Sequence, residues 1–245
     1  MPYATRDLTD TVVVITGATA GIGQALARQL VEAGARVALG ARNAERLAAL
    51  VDELGEENAV AVATDVRRPQ DNAALVAAAV QRWGRVDSVV PNAGIGMYGG
   101  ILDRSDDELR TMMETNYDGT VWTIRAALPA MLATGDGGDI VIVSSVAGLR
   151  GGADEAVYAG TKHAQVGLAG SLDRELREKG IRVTAVCPAG VETEFAIGYG
   201  RTEGAPMLAD FMRPDDVAFA VVSVLRQPRS VRTSLWALWS MGQQS

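Results

Sequence analysis

The chain changes hydrophobic period repeatedly from one end to the other, and this switching constrains its fold more than any single residue does. Short apolar runs at Val12–Ile15, Val37–Leu39, Val60–Ala63, Val86–Val90, Ile140–Val143 and Val183–Val186 have the length and β-branched content of buried strands. Between them apolar residues recur at helical spacing. Ile22, Leu26 and Leu30 share one face of a helix that Gly34 ends, and Leu47, Leu50, Val51 and Leu54 share another, opened by Asn43 and stopped by Gly55. A third helix is expected from Ser105, spaced with Glu108 as a capping box, to about Pro129. A fourth runs from about Asp154 to Lys179 and ends at Gly180, and Pro214 with Asp215 and Asp216 opens a shorter one.

Strand and helix in alternation imply right-handed crossovers and a parallel sheet covered on both faces. The expected fold class is therefore α/β: a doubly wound, Rossmann-type parallel sheet of about seven strands, the seventh being the weak run near Val231–Trp236. No linker, repeat or low-complexity tract divides residues 1–245, which read as a single domain. Gly and Pro are densest from Gly198 to Pro214. An irregular stretch of that length usually carries function, and a substrate loop or lid is expected over about 194–213.

Composition removes several function classes. A formal charge of −7 argues against nucleic-acid and anionic-membrane surfaces, which need a basic stripe. Cys187 is the only cysteine and His163 the only histidine, so no internal disulfide and no Cys or multi-His metal site is expected. The start Met1-Pro2-Tyr3-Ala4 lacks the positive and apolar regions of a secretory signal, and no apolar window has the ~20 residues of a membrane helix. A cytoplasmic protein is expected.

The first strand runs into Thr16-Gly17-Ala18-Thr19-Ala20-Gly21-Ile22-Gly23 and then a helix. Glycines there let the backbone turn tightly and approach a pyrophosphate, whose charge meets the helix N-terminus. After the second strand an NAD enzyme places an acid to hold the ribose 2′-hydroxyl. Here Ala41 and Arg42 follow Gly40, and a guanidinium suits a 2′-phosphate, so NADP(H) is the expected cofactor; an ordinary surface arginine is the alternative.

Tyr158 and Lys162 are spaced i, i+4, which puts them on one helix face. A phenol ionises near pH 10, and a neighbouring ammonium is expected to lower that value and make Tyr158 a usable acid and base. Ser145 closes the strand Ile140–Val143, where its hydroxyl can hydrogen-bond a substrate oxygen.

Over essentially its full length the sequence resembles the short-chain dehydrogenase/reductase family. The matching pieces are Thr16–Gly23, Asp65-Val66, Asn92-Ala93-Gly94, Asn116, Ser145, Tyr158 and Lys162, in the family's order. The resemblance implies a tetrad: Tyr158 as acid and base, Ser145 orienting the substrate carbonyl, Lys162 binding the nicotinamide ribose and lowering the tyrosine pKa, and Asn116 holding a relay water. It also implies that Gly17, Thr19, Ala20, Gly21, Ile22 and Gly23 cradle the cofactor, Asp65 and Val66 contact adenine, Asn92, Ala93 and Gly94 form the floor, and Val191 and Thr193 hold the carboxamide. Two positions depart from the family pattern: Pro91 replaces an asparagine, and Ala189 separates Pro188 from Gly190.

His163 and Cys187 read as packing or surface residues. Phe195, Tyr199, Met207, Phe211 and Met212 form either a substrate lid or ordinary loop packing, and Met97 and Leu149 are further candidate pocket residues. The expected activity is hydride transfer between NADP(H) and a small, mainly apolar carbonyl compound or secondary alcohol. A 3-oxoacyl thioester reductase would need basic residues near the cleft, for which Arg150, Arg201 and Arg213 are the candidates. An NADP(H)-sensing module is a third reading. The resemblance implies a homodimer or homotetramer, with the Ser105–Pro129 and Asp154–Lys179 helices at one interface and Trp236 and Trp239 at another.

Overall fold

Residue by residue, the buried positions explain the layers. A computed structural model describes residues 5–243; the Met1–Ala4 segment lies outside the described residues. In β1 (Val12–Thr16), Val13 and Ile15 point into one core and Val12 and Val14 into another, all at most 1% exposed. A strand buried on both faces has no reason to alternate polar and apolar residues, which is why these runs read as continuous.

The other strands are β2 (Arg36–Ala41), β3 (Ala59–Ala63), β4 (Ser88–Val90), β5 (Gly138–Val143), β6 (Ile181–Pro188) and β7 (Leu235–Leu238). They form one parallel sheet in the order β3-β2-β1-β4-β5-β6-β7. The winding reverses between β1 and β4, so a crevice opens at their carboxyl ends. One face is covered by α1 (Gly21–Glu32), α2 (Ala44–Leu54) and α7 (Pro214–Leu225), the other by α3 (Pro69–Trp83), α5 (Gly119–Thr134) and α6 (Ala156–Leu176). A short α4 (Asp106–Met113) leads into α5.

Three elements differ from the expectations. Helix α3 was not foreseen: its core face is Leu75, Val76 and Ala79 among small alanines, although Pro69 at its start and the left-handed Gly84 at its end are regular signals. The helix expected to stop near Pro129 runs on to Thr134. Proline removes one ladder bond, but Ala127 and Met131 on either side are fully buried, and that packing holds the helix together. Between α4 and α5 the helix widens to a π-turn at Glu114–Asp118, which contains Asn116. The weak last strand lies at Leu235–Leu238, beyond most of the Val231–Trp236 run.

At the amino end of the sheet, Asp139 is 1% exposed and takes Arg6 at 2.9 Å, Arg182 at 2.6 Å and Arg229 at 3.1 Å. This cluster ties the chain start, β5, β6 and the α7–β7 connection into one frame.

Candidate active site

A cleft of about 1090 Å³ lies over the carboxyl ends of the strands. Its cofactor end begins at the glycine turn. Gly17 has φ +67°, and a Cβ there would meet the Ala93 backbone at 2.9 Å, so only glycine fits without shifting the turn. Asn92 clamps this turn: its Nδ2 donates to the Thr16 and Gly17 carbonyls at 2.9 and 3.2 Å. The Thr16 hydroxyl oxygen in turn accepts from the Asn92 and Ala93 amides. Helix α1 then starts at Ala20, which offers no side-chain cap, and its first turn has no acidic residue. Its free N–H groups and positive dipole end therefore face the cleft, as an anion-binding turn requires. These residues fit the pyrophosphate of a dinucleotide.

Gly17, Thr19, Ala20, Ile22, Arg42, Asp65, Val66, Asn92, Ala93, Gly94, Ser145, Tyr158, Lys162, Val191 and Thr193 all line this cleft. Gly21 lines a smaller adjoining hollow. Gly23 lines neither; a Cβ there would collide with the Gly17 carbonyl oxygen, so its part is the close approach of helix to turn. Arg42 is exposed and has no acid within 4 Å among the described residues, whereas Arg67 grips the Asp65 carboxylate through Nε at 2.9 Å.

At the substrate end Tyr158 lies between Tyr98 and Phe195, with ring centroids 5.5 and 5.8 Å away. Ser145 faces the same space from the end of β5; its hydroxyl accepts from the Ala147 amide at 3.1 Å and donates to the Pro188 carbonyl at 3.4 Å. Lys162 lies beneath, 4% exposed. Its Nζ donates to the Val143 carbonyl at 3.2 Å and to Gln165 Oε1 at 3.0 Å. Asn116 is fully buried and lies off the cleft wall; its amide pairs reciprocally with the backbone of Ile95 at 2.8 and 2.9 Å and so holds the cleft floor.

The profile of the short chain dehydrogenase family matches residues 11–204. The chain is a short-chain dehydrogenase. An uncharacterized oxidoreductase of Staphylococcus aureus is 34% identical to it over 93% of this chain and 96% of its own length. Among solved structures, an alcohol dehydrogenase from the archaeon Thermococcus sibiricus, complexed with 5-hydroxy-NADP, is 32% identical over 96% of this chain and 98% of its own, with a TM-score of 0.85. A serine dehydrogenase complexed with NADP+ is 31% identical over 96% and 97%, with a TM-score of 0.87. A short-chain dehydrogenase/reductase from Burkholderia phymatum, complexed with NAD, is 27% identical over 95% and 90%, with a TM-score of 0.84.

Two features of this dehydrogenase depart from the expected electrostatics. Burial pushes the Tyr158 phenol above its ordinary range, reinforced by Tyr98 and Glu155, while the Ser145 hydroxyl and the Arg201 guanidinium pull it down. Lys162 is not the counterweight expected from the i, i+4 spacing. Its Nζ stands 5.7 Å from the Tyr158 ring centroid, drawn inward by Val143 and Gln165, and burial pushes its own pKa down to about 8. The second departure concerns Asn116. Its backbone carbonyl accepts from the Thr120 hydroxyl and from Gln165 Nε2, each at 2.7 Å, so both of that carbonyl's acceptor positions are used.

Gln165 and Tyr98 were not foreseen. Gln165 could have been, since it follows Lys162 at i+3 on the same helix; nothing in the sequence marks Tyr98. Of the lid candidates, Phe195, Tyr199 and Phe211 line the cleft, Met207 is exposed, and Met212 is buried and bridges Val191. Met97 lines the cleft and Leu149 does not. Arg150 and Arg201 line it as well, but Arg213 begins α7, its amide donating to Asp216 Oδ2 at 2.7 Å. His163 is exposed on the outer side of α6, and Cys187 is fully buried in the core.

Proposed function

We propose that this dehydrogenase transfers hydride between NADP(H) and a carbonyl compound or secondary alcohol, with Tyr158 as the acid and base. The observation that carries the reading is the meeting of Tyr158, Ser145 and the uncapped glycine turn in one cleft. The glycine turn and the α1 N-terminus would hold the pyrophosphate, Arg42 the 2′-phosphate, and Val191 and Thr193 the carboxamide; the nicotinamide supplies the hydride acceptor or donor.

The chain's own groups account for the proton. Ser145 orients the substrate oxygen beside Tyr158 by donating or accepting one hydrogen bond. In reduction Tyr158 gives its proton to that oxygen as negative charge develops there. A phenol raised by burial is protonated at neutral pH and so is set up for this direction. Lys162, protonated below about pH 8, places a cation beneath the phenol and the ribose site. Asn116 holds the floor at Ile95 rather than moving a proton itself.

Tyr158→Phe tests the assignment: kcat for ketone reduction should fall by roughly 10²–10⁴-fold with NADPH affinity little changed. Equal turnover in the variant and wild type removes Tyr158 from the mechanism. For the cofactor, kcat/KM should favour NADPH over NADH, and a clear preference for NADH defeats the role given to Arg42. Exposed Phe219 and Trp239 near the carboxyl end support the homo-oligomer reading, which sedimentation of the purified protein tests. A cytoplasmic location is part of the same proposal; no helix among the described residues is long and apolar enough to cross a membrane.

A further inference from the structure

The substrate end of the cleft contains a cation that the fold leaves without a counter-charge. Arg201 lies in the loop between β6 and α7, with its backbone pinned to the loop's own: its N–H donates to the Ala196 carbonyl at 3.1 Å and its carbonyl accepts from Gly198 at 2.9 Å. The guanidinium carbon stands 5.6 Å from the Phe195 ring centroid and 5.1 Å from that of Phe211. Both rings lie against the guanidinium at cation–π distance. One N–H goes to the Val191 carbonyl at 3.1 Å. Among the described residues no carboxylate lies within 4 Å of Arg201, although ten other arginines of the chain have such a partner.

The surroundings of Arg201 do not neutralise it. Glu155 is the acid on the same stretch of cleft, and its Oε1 takes the Gly152 amide at 2.6 Å. Arg150 adds a second cation to the rim. Arg104 braces the wall from behind, donating to the Tyr98 carbonyl and lying 5.4 Å from the Tyr199 ring centroid. Arg201 also lies near both Tyr98 and Tyr158: its charge opposes the rise that burial imposes on each phenol, and it hydrogen-bonds the Tyr98 side chain. A partly dehydrated cation is costly unless an anion meets it, and a guanidinium edge matches a carboxylate in two-point geometry.

We propose that Arg201 is the carboxylate anchor of the substrate subsite, and that this dehydrogenase acts on a small hydroxy acid or its oxo acid. The proposal rests on Tyr158 being the proton-transfer residue. Phe195 packs against both the Arg201 guanidinium, 5.6 Å from its ring centroid, and the Tyr158 ring, 5.8 Å away, so one small molecule that reacts at Tyr158 can also present a carboxylate to Arg201. In the oxidising direction the carbinol C–H bond breaks with its electron pair going to the oxidised nicotinamide, the O–H proton passes to the Tyr158 phenolate, the fraction of which grows with pH, and a C=O bond forms. The carboxylate is unchanged and serves only to orient the molecule.

The experiment compares 2-hydroxybutyrate and 3-hydroxybutyrate with their methyl esters, using NADP+ and the full-length protein. Wild type should favour at least one acid over its ester by on the order of 10²-fold in kcat/KM, the range for a buried charge pair. Arg201→Met should bring that ratio to near one, and Arg201→Lys should restore part of it, which excludes a misfolded loop as the cause. Calorimetry with butyrate, which cannot react, reads the subsite without turnover: binding in wild type should be lost in Arg201→Met. If butyrate binds in this Arg201-dependent way but no alcohol is oxidised, the anchor stands and the Tyr158 reading fails. If acid and ester fall equally in Arg201→Met and the pH profile moves to higher pH, Arg201 serves the phenol and the anchor is overturned. No preference for either acid in wild type overturns it as well.

Discussion

The two ends of the sheet treat charge in opposite ways. At the amino end Asp139 is enclosed by Arg6, Arg182 and Arg229, and Asp87 accepts from Arg85 and from the Val12 amide, so each buried carboxylate is matched. At the carboxyl end Arg42, Arg150 and Arg201 have no acid within 4 Å among the described residues, and Lys162 is buried with only neutral oxygens at its ammonium. The same residue types hold the fold together at one end and leave binding capacity unused at the other. Charge that the fold itself satisfies is structural; charge left unsatisfied around a cleft marks where ligand groups belong.

The sharpest way to break this contrast is at Asp139. Asp139→Ala would leave the buried Arg182 and the partly exposed Arg6 and Arg229 without their shared carboxylate, and removing one partner of a buried ion pair costs about 3–5 kcal/mol. For a domain of this size that corresponds to a fall in Tm of roughly 10 °C, which calorimetry would measure. Activity per folded molecule should be unchanged, because the cluster lies at the opposite end from the cleft. A variant that kept its Tm but lost turnover would show that the two ends are coupled. Next in size is Arg42→Ala at the carboxyl end. It should weaken NADPH by on the order of 10-fold or more, as loss of a charge-assisted contact to phosphate does, with NADH and Tm unaffected. Equal weakening of both cofactors would make Arg42 a structural residue like those around Asp139.

This division was only partly legible in the sequence. The doubly wound sheet could be read because its strands are continuous apolar runs, and the meeting of Ser145, Tyr158 and Lys162 in one cleft because they lie at strand-end and helix spacings that survive in one dimension. Helix α3 was harder, since Leu75, Val76 and Ala79 are diluted by alanines and give a weak period. The electrostatics were not legible. The i, i+4 spacing of Tyr158 and Lys162 says that they share a face, but not that Gln165 draws the ammonium inward or that Tyr98 and Phe195 bury the phenol. Burial depends on residues far apart in sequence, and here it outweighs the neighbour that spacing alone made prominent.

Gln165 permits a finer test at the carboxyl end. Lys162 has its pKa depressed to about 8 from 10.5, so its buried charge destabilises the fold below about pH 8. That cost is relieved between about pH 8 and 10.5, where the unfolded chain still holds the proton that the folded one has released. Stability from this group therefore rises with pH across that window, and Lys162→Met should flatten the rise in a denaturant titration. The functional sign is the reverse: above about pH 8 the ammonium is lost, and cofactor affinity should fall with it. Gln165→Leu removes an acceptor that favours the charged form, so the alkaline limb of cofactor binding should move to lower pH. Gln165→Glu should move it higher. An unmoved limb in both variants would mean that another group controls it.

The smallest effect belongs to Arg46 and Glu194, an ion pair 3.1 Å apart whose side chains are 52% and 71% exposed. Like Arg67 with Asp65, it is a paired arginine at the carboxyl end, on the rim of the cofactor cleft and close in sequence to Arg42 and Asn43. An exposed pair contributes about 0–1 kcal/mol, so Glu194→Gln should lower Tm by no more than the roughly 2–4 °C that 1 kcal/mol shifts a domain of this size. Releasing Arg46 adds a free guanidinium beside the site assigned to the 2′-phosphate. NADPH should therefore bind a few-fold more tightly, with NADH unchanged and the gain shrinking as salt is raised. If Glu194→Gln lowers Tm by more than that and leaves both cofactors alone, this pair belongs with the charges of the Asp139 end, and an acid partner at the rim signals structure there too.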